Sequence, residues 1–284
     1  MIEMLEDIPN FQQILVTGAE GFAGKNFVEK FKDKFEIKPI ADAIWVKECN
    51  ALVNFASIIE APYSLEWPMQ VFEANVKKTM EVLEQARKYD LHFIQPSSNL
   101  IYGNPIYTPI DENHPFYPQS PYAATRVCQE TLALSYYRAY GLPVTILRLS
   151  NGYGPYGKGV INVFIENARQ GKPLVLKGGD QTRTFTHIYD FCDAIILALN
   201  KKKSVGDIFN ISGPDTVNLK QLVSIIRGHF PKTVVESQDF DKGDITSTNF
   251  KITYEKAKKM LGYEPQYNLT KGIEQVINFE SKRI

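Results

Sequence analysis

Tyr122 and Arg126 stand four residues apart, just after Ser120-Pro121. A serine followed by proline marks a helix start, because the serine oxygen caps free N–H groups and proline suits the first turn. On that helix Tyr122, Arg126 and Glu130 share one face. A cation one turn from a tyrosine stabilises phenolate and equips the hydroxyl for proton transfer. The same spacing also fits a surface pair beside a packed aromatic ring. A second chemical stretch is ILVTGAEGFAG, Ile14 to Gly24. A short apolar run ends in Thr17. Gly18, Gly21 and Gly24 follow, and then Phe27, Val28, Phe31 and Phe35 recur at helical spacing. Strand, glycine turn and helix bring backbone N–H groups to a diphosphate at the helix N-terminus. The first glycine permits the turn, the second admits the ligand, and the third lets helix and strand pack closely.

These residues need elements to position them. Gln13–Thr17 reads as a buried strand, with a helix from Phe22 to Phe35. Glu36–Ile40 reads as a second strand. An acid near its end would hold a ribose hydroxyl. Asp42 is the candidate, and a helix N-cap is its other reading. Asn50–Ala56 is the next strand. The nine residues from Ala41 to Cys49 leave barely room for one helical crossover. An edge strand is therefore expected to be missing. Glu66 to Tyr89 reads as one long helix with Phe72, Val76, Met80, Leu83 and Ala86 on its core face and Asn75 within it. Leu91–Gln95 is a strand ending in Ser97, Ser98 and Asn99, where hydroxyls reach the ligand crevice of a parallel sheet. Residues 104–119 are proline-rich and irregular. Leu142–Leu149 is a strand that leads into Asn151. Arg183 is either a diphosphate contact or a surface charge. Asp190 reads as the cap of the helix Phe191–Leu199. Asp207–Ile211 is a further strand, and Gly262 closes the helix Tyr254–Leu261.

The chain has 284 residues, 32 Lys and Arg against 32 Asp and Glu, so its formal net charge is zero. That balance argues against bulk binding to nucleic acid or to a membrane surface. Apolar runs fall short of the roughly 18 residues of a membrane span. The acidic N-terminus does not read as a secretory signal. Cys49, Cys128 and Cys192 are odd in number and widely spaced, which suits reduced thiols in a cytoplasmic protein. Neither they nor the histidines show metal-ligand spacing.

In order, TGAEGFAG (17–24), VNFAS (53–57), NVKKTMEVLEQAR (75–87), PSSNLIYG (96–103), SPYAATR (120–126), LRLSNGYGP (147–155), GGDQTRTFTHIYD (178–190) and KAKKMLGYEP (256–265) make a specific series. The chain resembles the extended short-chain dehydrogenase/reductase superfamily, in particular its NAD-dependent sugar-nucleotide epimerase/dehydratase family. The resemblance implies an α/β fold: a Rossmann-like doubly wound parallel sheet, here lacking one edge strand, with a smaller C-terminal α/β substrate lobe. It implies a dinucleotide-binding domain of residues 1–152 plus 185–212 and a sugar-nucleotide lobe of 153–184 plus 213–284. Gly18, Gly21, Phe22, Ala23 and Gly24 would hold the diphosphate of NAD. Asp42 would face the adenosine ribose and favour NAD over NADP, which is left open. Ala56 and Ser57 would line the cofactor channel, and Asn75 would bond the adjacent backbone. Ser98 falls at the catalytic serine/threonine and Tyr122 at the catalytic acid/base. Asn99, Asn151 and Arg183 would meet a nucleoside-diphosphate sugar. A homodimer through the helices containing Phe72–Arg87 and Tyr122–Tyr140 is also implied.

Two departures from the family stand out besides the short 41–50 segment. Arg126 occupies the place of a lysine that holds the nicotinamide ribose, and the exchange is not conservative. Asn99 and Leu100 replace the carboxylates used for elimination. This disfavours a 4,6-dehydratase and leaves 4-epimerisation or 4-keto-6-deoxy sugar reduction. A binding protein that kept the fold and lost catalysis is the reading from another class.

Overall fold

The computed structural model describes residues 13–39, 49–240 and 249–282. Asp42 and most of the short 41–50 segment lie outside them. The central sheet is built from β1 (Gln13–Thr17), β2 (Glu36–Pro39), β3 (Ala51–Asn54), β4 (His92–Ser98), β5 (Val144–Leu149) and the strand Asp207–Ile211. These six strands run in the order β2, β1, β3, β4, β5, Asp207–Ile211. Every neighbouring pair is parallel. Among the described residues β2 is the edge beyond β1. The strand order reverses between β1 and β3, so the ligand crevice of such a sheet opens at their carboxyl ends, at Thr17 and Asn54.

The pleat sends alternate side chains to opposite faces. Ile14, Val16, Ala51 and Val53 pack with Phe27 and Phe31 of α1 (Phe22–Phe31) and with the helix Ile188–Leu199. Leu15 and Leu52 face the other way, onto Leu83, Ala86, Ala133 and Tyr136. Both faces are covered, which is why these strands read as unbroken apolar runs. A third cluster joins Tyr153, Phe164, Leu174, Leu222, Ile226 and Ile273.

The expected long helix is divided. α2 (Ala61–Glu66) ends at Trp67, and Pro68 opens α3 (Pro68–Phe72). A π-helical turn spans Glu73–Lys77 before α4 (Lys78–Lys88). Its buried face carries Val71, Asn75, Thr79, Leu83 and Ala86, while Phe72 and Met80 are exposed. Leu83 and Ala86 are buried as expected, but two other buried positions are polar, so the apolar stripe wrongly includes Phe72 and Met80. α5 (Pro121–Tyr140) starts as expected, with Ser120 Oγ accepting from Ala123 N at 3.2 Å. The helix Ile188–Leu199 is capped by His187 rather than Asp190. Asp190 instead accepts from Gln266 N and Tyr267 N, pinning that loop.

Two buried histidines make the fold sensitive to acid, and a buried aspartate opposes them. Burial pushes His92 and His187 down to about 4. Both are neutral when folded and titrate near 6.5 when unfolded. Their stabilisation is present above pH 6.5 and is lost as pH falls toward 4. Burial pushes Asp190 up to about 6, against its two backbone N–H donors, and it opposes this trend between pH 6 and 4. Two histidines outweigh one aspartate. Moving from pH 7 to pH 5 should therefore cost roughly 2–3 kcal/mol of stability. Denaturant melts of wild type and His92→Gln should show a smaller acid loss in the variant.

Candidate active site

The glycine turn has distinct constraints at each position. Gly18 has φ +63°, and a Cβ there would lie 2.7 Å from Ala56 N. A Cβ on Gly24 would lie 2.2 Å from Gly18 O. Both therefore serve close packing within the protein. Gly21 is different: a Cβ there would meet only Gly18 O, at 3.3 Å, and the residue is exposed. The protein itself scarcely requires glycine at this position, so a side chain would intrude on outside space. Gly21 is the N-cap of α1 and offers no side-chain cap, and the first turn carries no acid. Phe22 and Ala23 follow it, partly buried, in that turn. An anion fits such a helix start.

Next to this turn, Ala56 N donates to Thr17 Oγ1 at 2.9 Å, and Thr17 donates to Asn54 Oδ1 at 2.7 Å. Ser57 Oγ is buried with no hydrogen-bond partner. Asn75 sits in the π-helical turn and clasps the backbone of Ile58, accepting from its N at 2.8 Å and donating to its O at 3.0 Å. It also donates to Thr125 Oγ1 on α5. The segment after β3 is thus tied to the helix that bears Tyr122.

Tyr122 and Arg126 are both buried, at 5% exposure each, so the surface-pair reading falls away. Arg126 Nε donates to Tyr122 Oη at 3.1 Å. One terminal nitrogen donates to Pro96 O and to Gln129 Oε1, each at 3.1 Å. Arg126 therefore bridges α5 to β4, two residues before Ser98. Ser98 Oγ accepts from Leu100 N at 3.2 Å and caps the short 3₁₀ turn Asn99–Tyr102. Asn99 is buried, and its Nδ2 has no partner.

Below them lies a charged pair. Glu130 and Arg148 are each 1% exposed, and Arg148 donates to both carboxylate oxygens, at 2.7 Å from NH2. Ser97 Oγ donates to Glu130 Oε1, and Arg148 NH1 donates to Tyr102 Oη at 2.8 Å. Burial disfavours charge on Arg148, yet the adjacent Glu130 carboxylate raises it above its ordinary range.

Asn151, at φ +32°, donates to Thr184 O at 3.0 Å. That places it beside the strand Thr182–Thr184, which carries Arg183. Arg183 donates to Thr182 O at 2.8 Å and lies over the Phe250 ring. Among the described residues no group of His, Cys, Asp and Glu gathers to hold a metal, and no helix is long and apolar enough to cross a membrane.

The model of the NAD dependent epimerase/dehydratase family matches residues 36–212. The chain belongs to this family. A putative UDP-glucose 4-epimerase of Methanocaldococcus jannaschii is 30% identical, over 94% of this chain and 97% of that protein. A dTDP-glucose 4,6-dehydratase of Xanthomonas campestris pv. campestris is 27% identical, over 93% and 92%. The structure of a UDP-glucose 4-epimerase from Thermotoga maritima with UDP-glucose superposes with a TM-score of 0.85, at 25% identity and covering 95% and 99%. The family is one of NAD-dependent enzymes of the extended short-chain dehydrogenase type, with the Rossmann-like sheet described above.

Sequence reasoning missed Thr79, Gln95, Gln129 and Arg148. Asn54 Nδ2 donates to Thr79 Oγ1 and to Gln95 Oε1, each at 3.0 Å. A signal for α5 was present: Tyr122, Thr125, Arg126, Gln129 and Glu130 are polar at the spacing of a buried face. Removing one partner of the Glu130–Arg148 pair leaves a buried charge uncompensated. Glu130→Ala should therefore cost about 3–5 kcal/mol in denaturant unfolding.

Proposed function

We propose that this protein epimerises a nucleoside-diphosphate sugar at C4 through a transient 4-keto sugar. The observation that carries the reading is the buried contact from Arg126 to Tyr122, next to the end of β4 that bears Ser98. NAD, when bound, supplies the acceptor and donor of hydride. Tyr122 takes the proton from the C4 hydroxyl and returns it after the keto sugar has turned over. The guanidinium of Arg126 stabilises the phenolate form of Tyr122 that takes this proton and is restored when the proton returns to the sugar. Ser98 donates a hydrogen bond to the reacting sugar oxygen. Asn99 and Leu100 provide no carboxylate for elimination, which favours epimerisation over dehydration.

Gly21, Phe22, Ala23 and the close-packed Gly18 and Gly24 form the cradle for the cofactor diphosphate. Ala56 and the unpartnered Ser57 line its channel, with Asn75 holding the adjacent backbone. Asn151 and Arg183, brought to one strand edge, serve the sugar nucleotide. In this reading residues 1–152 with 185–212 bind the dinucleotide and 153–184 with 213–284 bind the sugar nucleotide. Two copies would pair through α4 and α5.

Denaturing the purified protein and weighing the released nucleotide tests the reading. NAD or NADH should be released, and UDP-glucose should be inverted at C4 without added cofactor. Tyr122→Phe should lower that turnover by about 10²–10⁴-fold. Stoichiometric consumption of external NADPH by a 4-keto sugar nucleotide, with no inversion, would sink the epimerase and leave a reductase.

The glycine turn gives a second test. Gly21→Ala should unfold within about 1 kcal/mol of wild type yet lose bound dinucleotide, whereas Gly24→Ala should destabilise the fold itself. Dinucleotide retained by folded Gly21→Ala would rule out the cradle.

A further inference from the structure

Arg126 is a planar group in a place where the family has lysine, and a planar group must be aimed. Its Nε donates to Tyr122 Oη, and both N–H bonds of NH1 are used, one on Pro96 O and one on Gln129 Oε1. These three bonds fix the guanidinium plane, and with it the direction of the NH2 protons. Among the described residues NH2 makes no hydrogen bond. A lysine ammonium, with three freely rotating donors, would need no such frame.

Gln129 is built to supply the frame. It is 1% exposed. Its Oε1 accepts from Arg126, while its Nε2 donates to Asn75 O at 3.0 Å and to Thr79 Oγ1 at 2.7 Å. The amide orientation is therefore fixed by two acceptors on the neighbouring helices, which leaves the oxygen for the guanidinium. Thr79 in turn accepts from Asn54 at the end of β3.

We infer that Gln129 is a positioning residue that holds Arg126 on Tyr122 and presents its remaining edge to the nicotinamide ribose. Asn75, which Gln129 also grips, clasps Ile58 beside Ser57. One side chain thus registers the guanidinium against the proposed cofactor channel. The inference rests on the proposed role of Tyr122 and Arg126.

Gln129→Met should weaken NADH binding about tenfold when Arg126 is present and change it less than about twofold in the Arg126→Met background. Equal losses in both backgrounds would mean that Gln129 acts only through Asn75 and Thr79, and would overturn the inference. Turnover of UDP-glucose by Tyr122→Phe, measured alongside, separates the two levels. Turnover retained there overturns the catalytic reading. Turnover lost, with equal losses in both backgrounds, leaves that reading standing and removes Gln129 from it. Wild type that releases no dinucleotide on denaturation and also binds no NADH overturns both.

Discussion

The pair formed by Glu130 and Arg148 governs how the carboxyl ends of the strands are assembled. Two opposite charges at 1% exposure are stable together only if their hydrogen-bonding capacity is filled. Filling it recruits a neighbour from each surrounding element. Ser97 comes from β4, Tyr102 from the turn beyond it, and Glu112 O from the proline-rich segment. Tyr102 then donates to Asn210 on the last strand, whose N–H donates to Glu112 Oε1. The pair adds little net stability against an apolar pair of the same shape. Its effect is geometric. Glu130 lies two turns beyond Tyr122 on α5, and Ser97 precedes Ser98 on β4. Both arms of the proposed site are therefore anchored on one carboxylate.

A second polar chain runs above the sheet. From Tyr122 it passes through Arg126, Gln129, Thr79 and Asn54 to Thr17 and Ala56 N. Each link is buried or half-buried, so an unmade bond would cost about 1–3 kcal/mol. The chain connects the glycine turn to the tyrosine without crossing open solvent. The π-helical turn at Asn75 belongs to this arrangement. Across it Asn75 meets Ile58 and Thr79 meets Asn54, while Phe72 and Met80 are exposed.

The sheet was legible because buried parallel strands are apolar on both faces, and Ile14 to Val16 or Ala51 to Val53 allow no other period. The start of α5 was legible because Ser120 and Pro121 act locally. Local spacing also foretold the close-packed glycine turn from Gly18 to Gly24 and the contact between Tyr122 and Arg126. The division of the Glu66–Tyr89 stretch was not. Its buried face holds Asn75 and Thr79, whose partners lie on β3, on α5 and beyond β3. Hydrophobic periodicity cannot register a polar residue satisfied from far along the chain. Asp190 was misread for a related reason. An acid just inside a helix start resembles a cap, but the side chain reaches Gln266 and Tyr267, more than 70 residues on.

Arginine at position 126 shows how one departure spreads. A lysine there can swing to whatever oxygen is presented. A guanidinium instead carries its five N–H donors in one plane, and Arg126 places three of them on acceptors. Pro96 O lies on β4 beyond Ile94, the last residue there that pairs with β3, and Tyr122 Oη lies one turn back. The third acceptor has to come from another residue on the same face, and Gln129, one turn on, is long enough to provide it while its own N–H groups are spoken for. The exchange for lysine is therefore read with its companions. Arg126 with a fixed amide beside it keeps positive charge against Tyr122, where a lone arginine of the same length could withdraw to solvent. That arrangement is what supports the proposal of a working site over that of a fold which kept its shape and lost its chemistry.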